Sequence, residues 1–336
     1  MTIAVPLRLS PRAAEKVWGG ARLAGLVSDP LDATGPVGEV WICSDREERG
    51  SVVVGGPFDG RSLRGLMLSE REALLGEAGT NAAGEFPLLV KLLEAAQDLS
   101  IQVHPDAVAA ERLHGESKEE CWYILHADPG AEVYVGLADG VDARRFAARA
   151  ATPDVVDLLA RHVVHAGDFV HVPTGTVHGI GAGITLVEVQ ESSDTTYRLY
   201  DWGRLGLDGK PRATHLDEAL ASIDYGVRPA GPVRAEFRAQ VGGDSVDRAA
   251  LLVDTKPFRV ELLELHRGGP LGVDALPSVL VVLSGSGQLS TAATEAPLEI
   301  RAGQCWLLPA DAQRARIGEA SGDLTLLRAI PARLKR

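Results

Sequence analysis

The chain has 336 residues, 45% of them hydrophobic and 24% charged, a composition typical of a globular protein with a sizeable core. This mixture excludes disordered, collagen-like and coiled-coil chains. The 46 acidic and 34 basic side chains leave a formal charge of −12, which disfavours binding to nucleic acids or anionic membranes. No apolar run approaches the roughly 18 residues of a membrane span, and the N-terminus lacks a leader pattern, so we expect a cytoplasmic location.

The first 140 residues predict short strands with a few helices. Residues 36–58 favour strands and turns, and the leucines of 63–79 predict one or two short helices. Residues 86–95 and 99–105 predict buried strands, and 106–115 a short helix. Next, residues 120–126 and 131–137 predict a strand pair around Asp128-Pro129-Gly130.

The remainder predicts a helical interval followed by more strands. Residues 142–150 and 152–162 have helical spacing, the second with Thr152 as N-cap, and 214–223 predicts another helix. Residues 164–202 and the last 80 residues alternate apolar runs with turn formers at the spacing of a β-sandwich or barrel. The intervening residues 226–250 lack periodicity and predict a connection.

Two passages resemble each other and predict two similar β-barrels. HAGDFVHVPTGTVHGI near residue 165 and RAGQCWLLPADAQRARI near residue 301 both enter a strand at a glycine and leave it at a proline. Only the first contains histidine. The three cysteines, Cys43, Cys121 and Cys305, lie far apart without CxxC spacing, so we expect buried thiols rather than a disulfide or a thiolate zinc site.

Several residue types that bind metals lie on the predicted strands. Gln102 and His104 are two apart and share one face of a strand, as do Lys118 and Glu120 of the next. With His178, which follows a proline turn, Gln102, His104 and Glu120 supply two nitrogens and two oxygens, a set suited to Zn²⁺ or another divalent transition metal. A single carboxylate leaves such a site with a net charge of +1, which would polarise a bound hydroxyl or carbonyl.

Histidine spacing alone leaves the fourth ligand open. A single histidine on a strand is more often hydrogen-bonded or on the surface than bound to a metal. His165 and His171, thirteen and seven positions before His178, are alternatives to it.

Five motifs resemble type I mannose-6-phosphate isomerases, the zinc-dependent cupin enzymes, and in particular their shorter bacterial form. They occur in the family's order, and the resemblance extends from about residue 8 to residue 225. The motifs are VWGG (17–20), GEVW (38–41), FPLLVKLLEAAQDLSIQVHP (86–105), SKEECWYIL (117–125) and VPTGTVHGIGAGITLVEVQESSDTTYRLYDWGR (172–204).

The resemblance assigns roles to individual positions. It implies one Zn²⁺ per chain and prefers His178 to His171; the implied ligands are Gln102, His104, Glu120 and His178. The polar residues implied around the sugar are Lys118, Glu188 and Arg198. The positions implied near the phosphate are Ser100, Lys91 and Arg204, where Arg204 replaces a lysine of longer relatives and adds a bidentate fork.

The fold implied by the resemblance is mainly β, with two cupin-like jelly-roll barrels and a small helical insertion. The predicted units are a catalytic barrel at 1–140 and 163–225, an insertion at 141–162, a connection at 226–250 and a degenerate barrel at 251–336. The implied activity is interconversion of D-mannose 6-phosphate and D-fructose 6-phosphate through a cis-enediol. Glu188, Lys118 and a metal-bound water remain alternative bases.

Two other functions compete with this interpretation. An iron-dependent cupin dioxygenase usually has three histidines, and the glutamine here favours Lewis-acid chemistry instead. A non-catalytic sugar-phosphate-binding module could also use duplicated barrels. For the isomerase, the expected partner is a small sugar phosphate, with neither a nucleic acid nor a membrane, and both a monomer and a dimer remain open.

Overall fold

The computed structural model describes residues 3–237, 248–271, 275–312 and 314–333, and its architecture is mainly β, as predicted. The described strands are β1 (Leu7–Leu9), β2 (Arg12–Gly20), β3 (Val37–Cys43), β4 (Leu88–Ala95), β5 (Ile101–Val103), β6 (Glu120–Ala127), β7 (Glu132–Leu137), β8 (Leu159–Val163), β9 (Asp168–Val172), β10 (His178–Ile180), β11 (Ile184–Glu191), β12 (Tyr197–Tyr200), β13 (Val233–Arg234), β14 (Arg248–Asp254), β15 (Phe258–Leu265), β16 (Gly269–Pro270), β17 (Ser278–Ser290), β18 (Leu298–Arg301), β19 (Cys305–Leu308) and β20 (Arg316–Pro331).

The helices of the described residues are short. The α-helices are α1 (Leu63–Ser69), α2 (Arg71–Leu75), α3 (Ala107–Leu113), α4 (Ala143–Ala147) and α5 (Leu216–Ser222). The 3-10 helices are Arg22–Gly25, Glu47–Arg49, Gly56–Phe58 and Pro153–Leu158. Within the described ranges, no helix has the length and apolar character needed to cross a membrane.

Two sheets pack face to face in the first part of the chain. The five-stranded sheet has the order β12-β5-β10-β7-β8, and the seven-stranded sheet the order β13-β9-β6-β11-β4-β3-β2. Their facing surfaces enclose a core that includes Trp18, Leu93, Trp122, Val133 and Ile180. The predicted fold class is therefore confirmed, with open sheets packed as a sandwich rather than closed into a barrel.

The central strands of the seven-stranded sheet are buried on both faces. Strands β3 and β4 are buried at every position. Their outward residues, such as Val40 and Leu92, share a core with Val260 and Leu307 of the eight-stranded sheet. That sheet has the order β1-β19-β17-β20-β15-β14, with β16 on β20 and β18 on β17. Because side chains alternate along a strand, each central strand contributes to two cores.

Helices cover the outer face of the five-stranded sheet. Phe146 of α4, Val155 of a 3-10 helix and Ala219 of α5 pack against Val103 and Leu199 of the sheet. Asp142 begins α4 by accepting a hydrogen bond from the amide of Arg145 at 2.7 Å, which stabilises the helix start. The sheet therefore has one face free of helices, and this face is opposite the seven-stranded sheet.

Two sequence-based expectations differ from the structure in detail. Strands β6 and β7 do not pair with each other: β6 lies between β9 and β11, and β7 lies between β8 and β10 in the other sheet. The turn at 128–130 therefore crosses from one layer to the other. Residues 152–162 form a 3-10 helix followed by β8, and the Thr152 hydroxyl donates to the carbonyl of Arg149 instead of capping the helix.

The two similar passages adopt the same local structure. Gly167 and Gly303 have φ angles of +88° and +83°. Gly167 immediately precedes β9, and Gly303 lies two residues before Cys305, where β19 begins. Their amides donate to the carbonyls of Ile124 and Val282 at 2.8 and 2.9 Å. A left-handed backbone at both positions explains why glycine starts each passage.

The predicted unit boundaries remain a prediction. Residues 238–247 of the expected connection, with residues 1–2, 272–274, 313 and 334–336, lie outside the described residues. One strand crosses the expected division, since β1 pairs with β19 in the eight-stranded sheet. The three cysteines are buried free thiols, as expected.

Candidate active site

A polar cavity of about 400 Å³ lies between the five-stranded and seven-stranded sheets. The seven-stranded sheet contributes Glu39, Lys91, Glu120 and Glu188 to its lining. From the opposite sheet and its loops come other lining residues: Ser100, Gln102, His178, Arg198, Arg212 and His215. Strand alternation puts these polar side chains on the inner faces, whereas their neighbours along each strand point to the outer cores.

Strand pairing brings the predicted metal ligands together. His178 of β10 is opposite Gln102 of β5, and Gln102 is opposite Arg198 of β12. His104 follows β5, and Glu120 begins β6 in the facing sheet. Nitrogen and carboxylate atoms of His104, Glu120 and His178 all lie within 4.8 Å of one another.

Both histidines present their Nε2 atoms to the centre of this cluster. His104 Nδ1 lies 2.8 Å from the carbonyl oxygen of Thr195, and His178 Nδ1 lies 2.9 Å from that of Thr176. Carbonyl oxygens only accept hydrogen bonds, so each Nδ1 carries the proton and each Nε2 carries a lone pair. Burial, followed by the charge of Lys118, lowers the pKa of His104 to about 3, and burial also lowers that of His178. Neutral imidazoles held by backbone carbonyls are the form that binds metals.

Glu120 completes a three-residue cluster. Its carboxylate oxygens lie 3.3 Å from His104 Nε2 and 3.4 Å from His178 Nε2. Although burial opposes ionisation, Lys118 and the histidines hold the pKa of Glu120 well below its usual range. Lys118 Nζ is 2.7 Å from Glu120 Oε2 in an ion pair, yet Oε2 has no hydrogen-bond donor in suitable geometry among the described residues. A buried anionic oxygen without a donor, beside two imidazole lone pairs, fits a cation.

Gln102 lies beside the cluster and is held by Ser100. The Ser100 hydroxyl donates to Gln102 Oε1 at 3.0 Å, and Gln102 Nε2 lies 3.4 and 3.2 Å from the Nε2 atoms of His104 and His178. Rotating the amide by half a turn exchanges its oxygen and nitrogen, which would bring the oxygen to the imidazoles. Gln102 therefore fits a fourth ligand in the rotated form, with Ser100 accepting the amide hydrogen bond.

A second charged cluster adjoins the first. Lys91 Nζ lies 3.2 Å from Glu188 Oε2 and 5.1 Å from the centre of the Trp41 ring. Burial raises the pKa of Glu188, against the opposing effect of Lys91. Trp41 Nε1 donates to Glu39 Oε2 at 2.8 Å. Glu188 is thus a buried carboxylate that lines the cavity without touching the predicted metal ligands.

Arg204, His165 and His171 lie away from the cavity lining, and His165 is exposed with its Nδ1 3.6 Å from Asp168 Oδ2. Arg204 hydrogen-bonds Asp201 and the carbonyl of Asp98. His171 lies between Val170 and Val172, whose side chains face the core, so its own side chain points to the other side of the sheet. There its Nε2 lies 2.9 Å from Glu119 Oε1. The remaining predicted residues, Ser100, Lys91, Lys118, Glu188 and Arg198, line the cavity.

Sequence reasoning missed Glu39, Asp201 and Arg212. Glu39 lies within the GEVW motif, where only the resemblance was noted. Asp201 and Arg212 are eleven residues apart, and Arg212 lies in a loop without periodic pattern, so nothing in the sequence indicated that they touch. The charged residues between β12 and α5 were the one available signal that this segment contributes to the site.

Comparisons with known proteins agree with this geometry. Residues 7–126 match the family described as "Phosphomannose isomerase type I, catalytic domain". The mannose-6-phosphate isomerase of Streptococcus mutans is 33% identical over 326 residues, which cover 97% of this chain and 98% of that protein. Mannose-6-phosphate isomerase ManA of Bacillus subtilis is 39% identical over 222 residues, covering 65% of this chain and 68% of the relative.

A solved structure is similar over nearly the whole chain. The crystal structure of the mannose 6-phosphate isomerase from Bacillus subtilis superposes with a TM-score of 0.85 and 28% identity, covering 97% of this chain and 99% of the other. The similarity therefore includes the eight-stranded sheet, for which the sequence offered only a β pattern. From the matched residues and the near-complete coverage, it follows that the chain belongs to the type I phosphomannose isomerase family.

Proposed function

We propose that this protein interconverts D-mannose 6-phosphate and D-fructose 6-phosphate as a zinc-dependent isomerase. The observation that carries the proposal is the meeting of His104, Glu120 and His178, with Gln102 beside them, in a polar cavity of a type I family member. Two imidazole nitrogens, a carboxylate and an amide oxygen form a donor set suited to one Zn²⁺ per chain. When bound, zinc supplies a Lewis acid that polarises the oxygens at C1 and C2 of the sugar.

Glu188 is the base in this proposal. Isomerisation requires removal of the C2 proton of the aldose and its return to C1, through a cis-enediol. Glu188 is buried, lines the cavity and has a raised pKa because of that burial, which makes its carboxylate a stronger proton acceptor than an exposed one. Lys91 at 3.2 Å holds the carboxylate in place. The proton that Glu188 takes from C2 is the proton that it returns to C1, and the O2 hydroxyl proton passes to O1 between the adjacent cis oxygens of the enediol, so that the two sugars contain the same atoms.

Lys118 provides positive charge to the sugar oxygens at C1 and C2. Lys118 Nζ lies between Glu120 and His104, 2.7 and 3.2 Å from them, and so faces the same space as the predicted metal ligands. Hydrogen bonds from fixed cations stabilise the oxyanion that forms as the C–H bond breaks. Arg198 lies opposite Gln102 across a strand pair, and in this proposal it orients the substrate.

A coupled assay tests the proposal directly. Purified protein with stoichiometric zinc should form fructose 6-phosphate from mannose 6-phosphate, and a chelator should abolish this turnover until zinc is restored. Metal analysis of the same samples should give one zinc per chain. Iron with oxygen uptake would instead support a dioxygenase, and substrate binding without turnover would support a binding module.

A further inference from the structure

Two arginines bind one carboxylate beside the cavity, and a third arginine lies next to them. Asp201 accepts hydrogen bonds from Nε and Nη2 of Arg204 at 3.2 and 2.9 Å, and from Nε of Arg212 at 2.7 Å. Arg212 Nη2 also donates to Asp201. Arg198 lies alongside, with Nη1 donating to the carbonyl of Ala213 at 2.8 Å. Three guanidinium groups against one carboxylate leave a local charge of about +2.

The three arginines differ in whether their nitrogen atoms have hydrogen-bond partners. Arg204 also donates from Nη1 to the carbonyl of Asp98, so all three of its nitrogens have partners and it does not line the cavity. Arg212 lines the cavity, and its Nη1 has no hydrogen-bond partner among the described residues. Nε of Arg198 is buried and likewise lacks a partner within the described ranges.

The crowding of positive charge also affects Arg198. Burial, followed by the neighbouring charge of Arg212, lowers the pKa of Arg198, and Asp201 opposes this only in part. An anion placed between Arg198 and Arg212 would relieve this repulsion and supply acceptors for their unpaired N–H groups.

The spacing of the strands determines the distance from these arginines to the predicted metal ligands. His178, Gln102 and Arg198 lie opposite one another on the adjacent strands β10, β5 and β12. Two strand spacings separate His178 from Arg198, roughly 10 Å. A hexose monophosphate with its carbonyl end at the metal cluster can therefore extend its other end to the arginines.

We infer that Arg212, held by Asp201, binds the phosphate group of the substrate together with Arg198, and that Arg204 only braces Asp201. This assigns to Arg212 the contact that the family resemblance places at Arg204. The inference rests on the proposed function for the identity of the substrate. It concerns a phosphate monoester at the outer end of the same cavity.

The test compares arginine variants of the zinc-loaded protein. Arg212→Met should raise both KM and the calorimetric Kd for mannose 6-phosphate roughly 10- to 100-fold, the loss expected for hydrogen bonds to a charged group. The kcat should stay within about threefold, because the lost contact is distant from C1 and C2. Arg212→Lys, which keeps the charge but loses the fork, should give an intermediate rise.

Two further variants separate this effect from general damage. Arg204→Met should lower the melting temperature and raise KM less than Arg212→Met does. Arg234→Met is the matched control, because Arg234 is also held by an aspartate, Asp168 at 2.6 Å, and by a carbonyl, but lies outside the cavity lining. It should leave KM and Kd unchanged.

The outcomes distinguish the inference from the proposed function. Unchanged KM and Kd in a folded Arg212→Met protein, with an active wild type, would overturn the inference alone. A wild type without turnover that binds mannose 6-phosphate through Arg212 would overturn the isomerase and support the inference. A wild type that neither turns over nor binds the sugar phosphate would overturn both.

Discussion

At the scale of single residues, the central feature is a set of buried groups whose charge states depend on their neighbours. Two neutral imidazoles and one carboxylate lie within 4.8 Å of one another, each held by a contact outside the cluster. Trp122 Nε1, for example, donates to Glu120 Oε1 at 3.1 Å. Such contacts orient ligands before a metal arrives and should make its binding tight.

We predict that His104→Ala or Glu120→Ala abolishes stoichiometric zinc binding, because each removes one ligand of a four-ligand site. His171→Ala is the control, since His171 binds Glu119 on the opposite side of the sheet. Metal content measured by plasma emission on folded protein tests this. Zinc retained at one equivalent by both of the first two variants would disprove the ligand assignment.

We predict that Glu188→Gln lowers kcat roughly 100- to 10,000-fold while zinc remains bound, because the amide cannot accept the C2 proton. The measurement is the coupled assay, with transfer of a deuterium label from C2 of mannose 6-phosphate to C1 of fructose 6-phosphate as a second readout. Near-normal turnover would leave Lys118 or a water as the base.

Arg198→Ala should also lose turnover with zinc intact, and normal kinetics would remove Arg198 from the mechanism.

Glu39 predicts a pH dependence of stability. Although burial opposes ionisation, Lys91 and Lys16 lower the pKa of Glu39 from 4.5 to about 2. A lowered pKa stabilises the fold above the unfolded value, and this contribution is lost as the pH falls from about 4.5 towards 2. Between about pH 5 and pH 2.5, the unfolding free energy of Glu39→Gln should therefore fall about 1 to 3 kcal/mol less than that of the wild type. Parallel curves in urea titrations would contradict this; the exposed Glu299→Gln is the control.

Most site residues could be predicted from the sequence because they lie on strands or in motifs. Gln102 and His104 share a strand face, and Lys118 with Glu120 shares another, so spacing alone indicated their direction. The pairing of Asp201 with Arg212 could not be predicted, because it depends on a loop that folds back onto β12. Arg204 is a related case: the resemblance implies a position near the phosphate, which stays a prediction, but its contacts with Asp201 and the Asp98 carbonyl could not be predicted.

At the scale of elements, strand alternation positions the site and short helices hold its edges. Helix α3 follows directly after His104-Pro105, and its first turn is capped by Asp106, whose Oδ1 accepts from the amide of Ala109 at 2.7 Å. We predict that Asp106→Ala lowers the unfolding free energy by about 1 kcal/mol with zinc still bound. Denaturant titration measures this change. Glu111→Ala, exposed in the same helix, should have little effect, and equal losses in both variants would argue against the cap.

The pairing of strands was harder to predict than their existence. Both β6 and β7 were expected from their apolar alternation, yet they lie in different layers. Trp122 of β6 and Val133 of β7 face the same core from opposite sides. Two apolar strands joined by a short turn in this way have the same sequence pattern as a hairpin. The pattern of buried residues indicates a face but does not identify the neighbouring strand.

At the scale of the whole molecule, one core joins the two halves. Val40, Leu92 and Val189 of the seven-stranded sheet pack with Val260 and Leu307 of the eight-stranded sheet. Exposing this apolar surface to water would be unfavourable in free energy for either half. We therefore predict a single cooperative unfolding transition. Hydrogen exchange followed by mass spectrometry in urea should show β6 and β17 losing protection together. Loss of protection in β17 at a lower urea concentration would show instead that the halves are independent.

The pairing of β1 with β19 also has a consequence for biosynthesis. Leu7, Arg8 and Leu9 are translated about 300 residues before their partners Leu307, Trp306 and Cys305. Until then the nascent chain carries an unmatched edge and an uncovered apolar sheet, which are targets for chaperones. Pairing of β1 is thus a late event in synthesis, because it must wait for β19, whereas all residues that line the candidate site have been translated before β19.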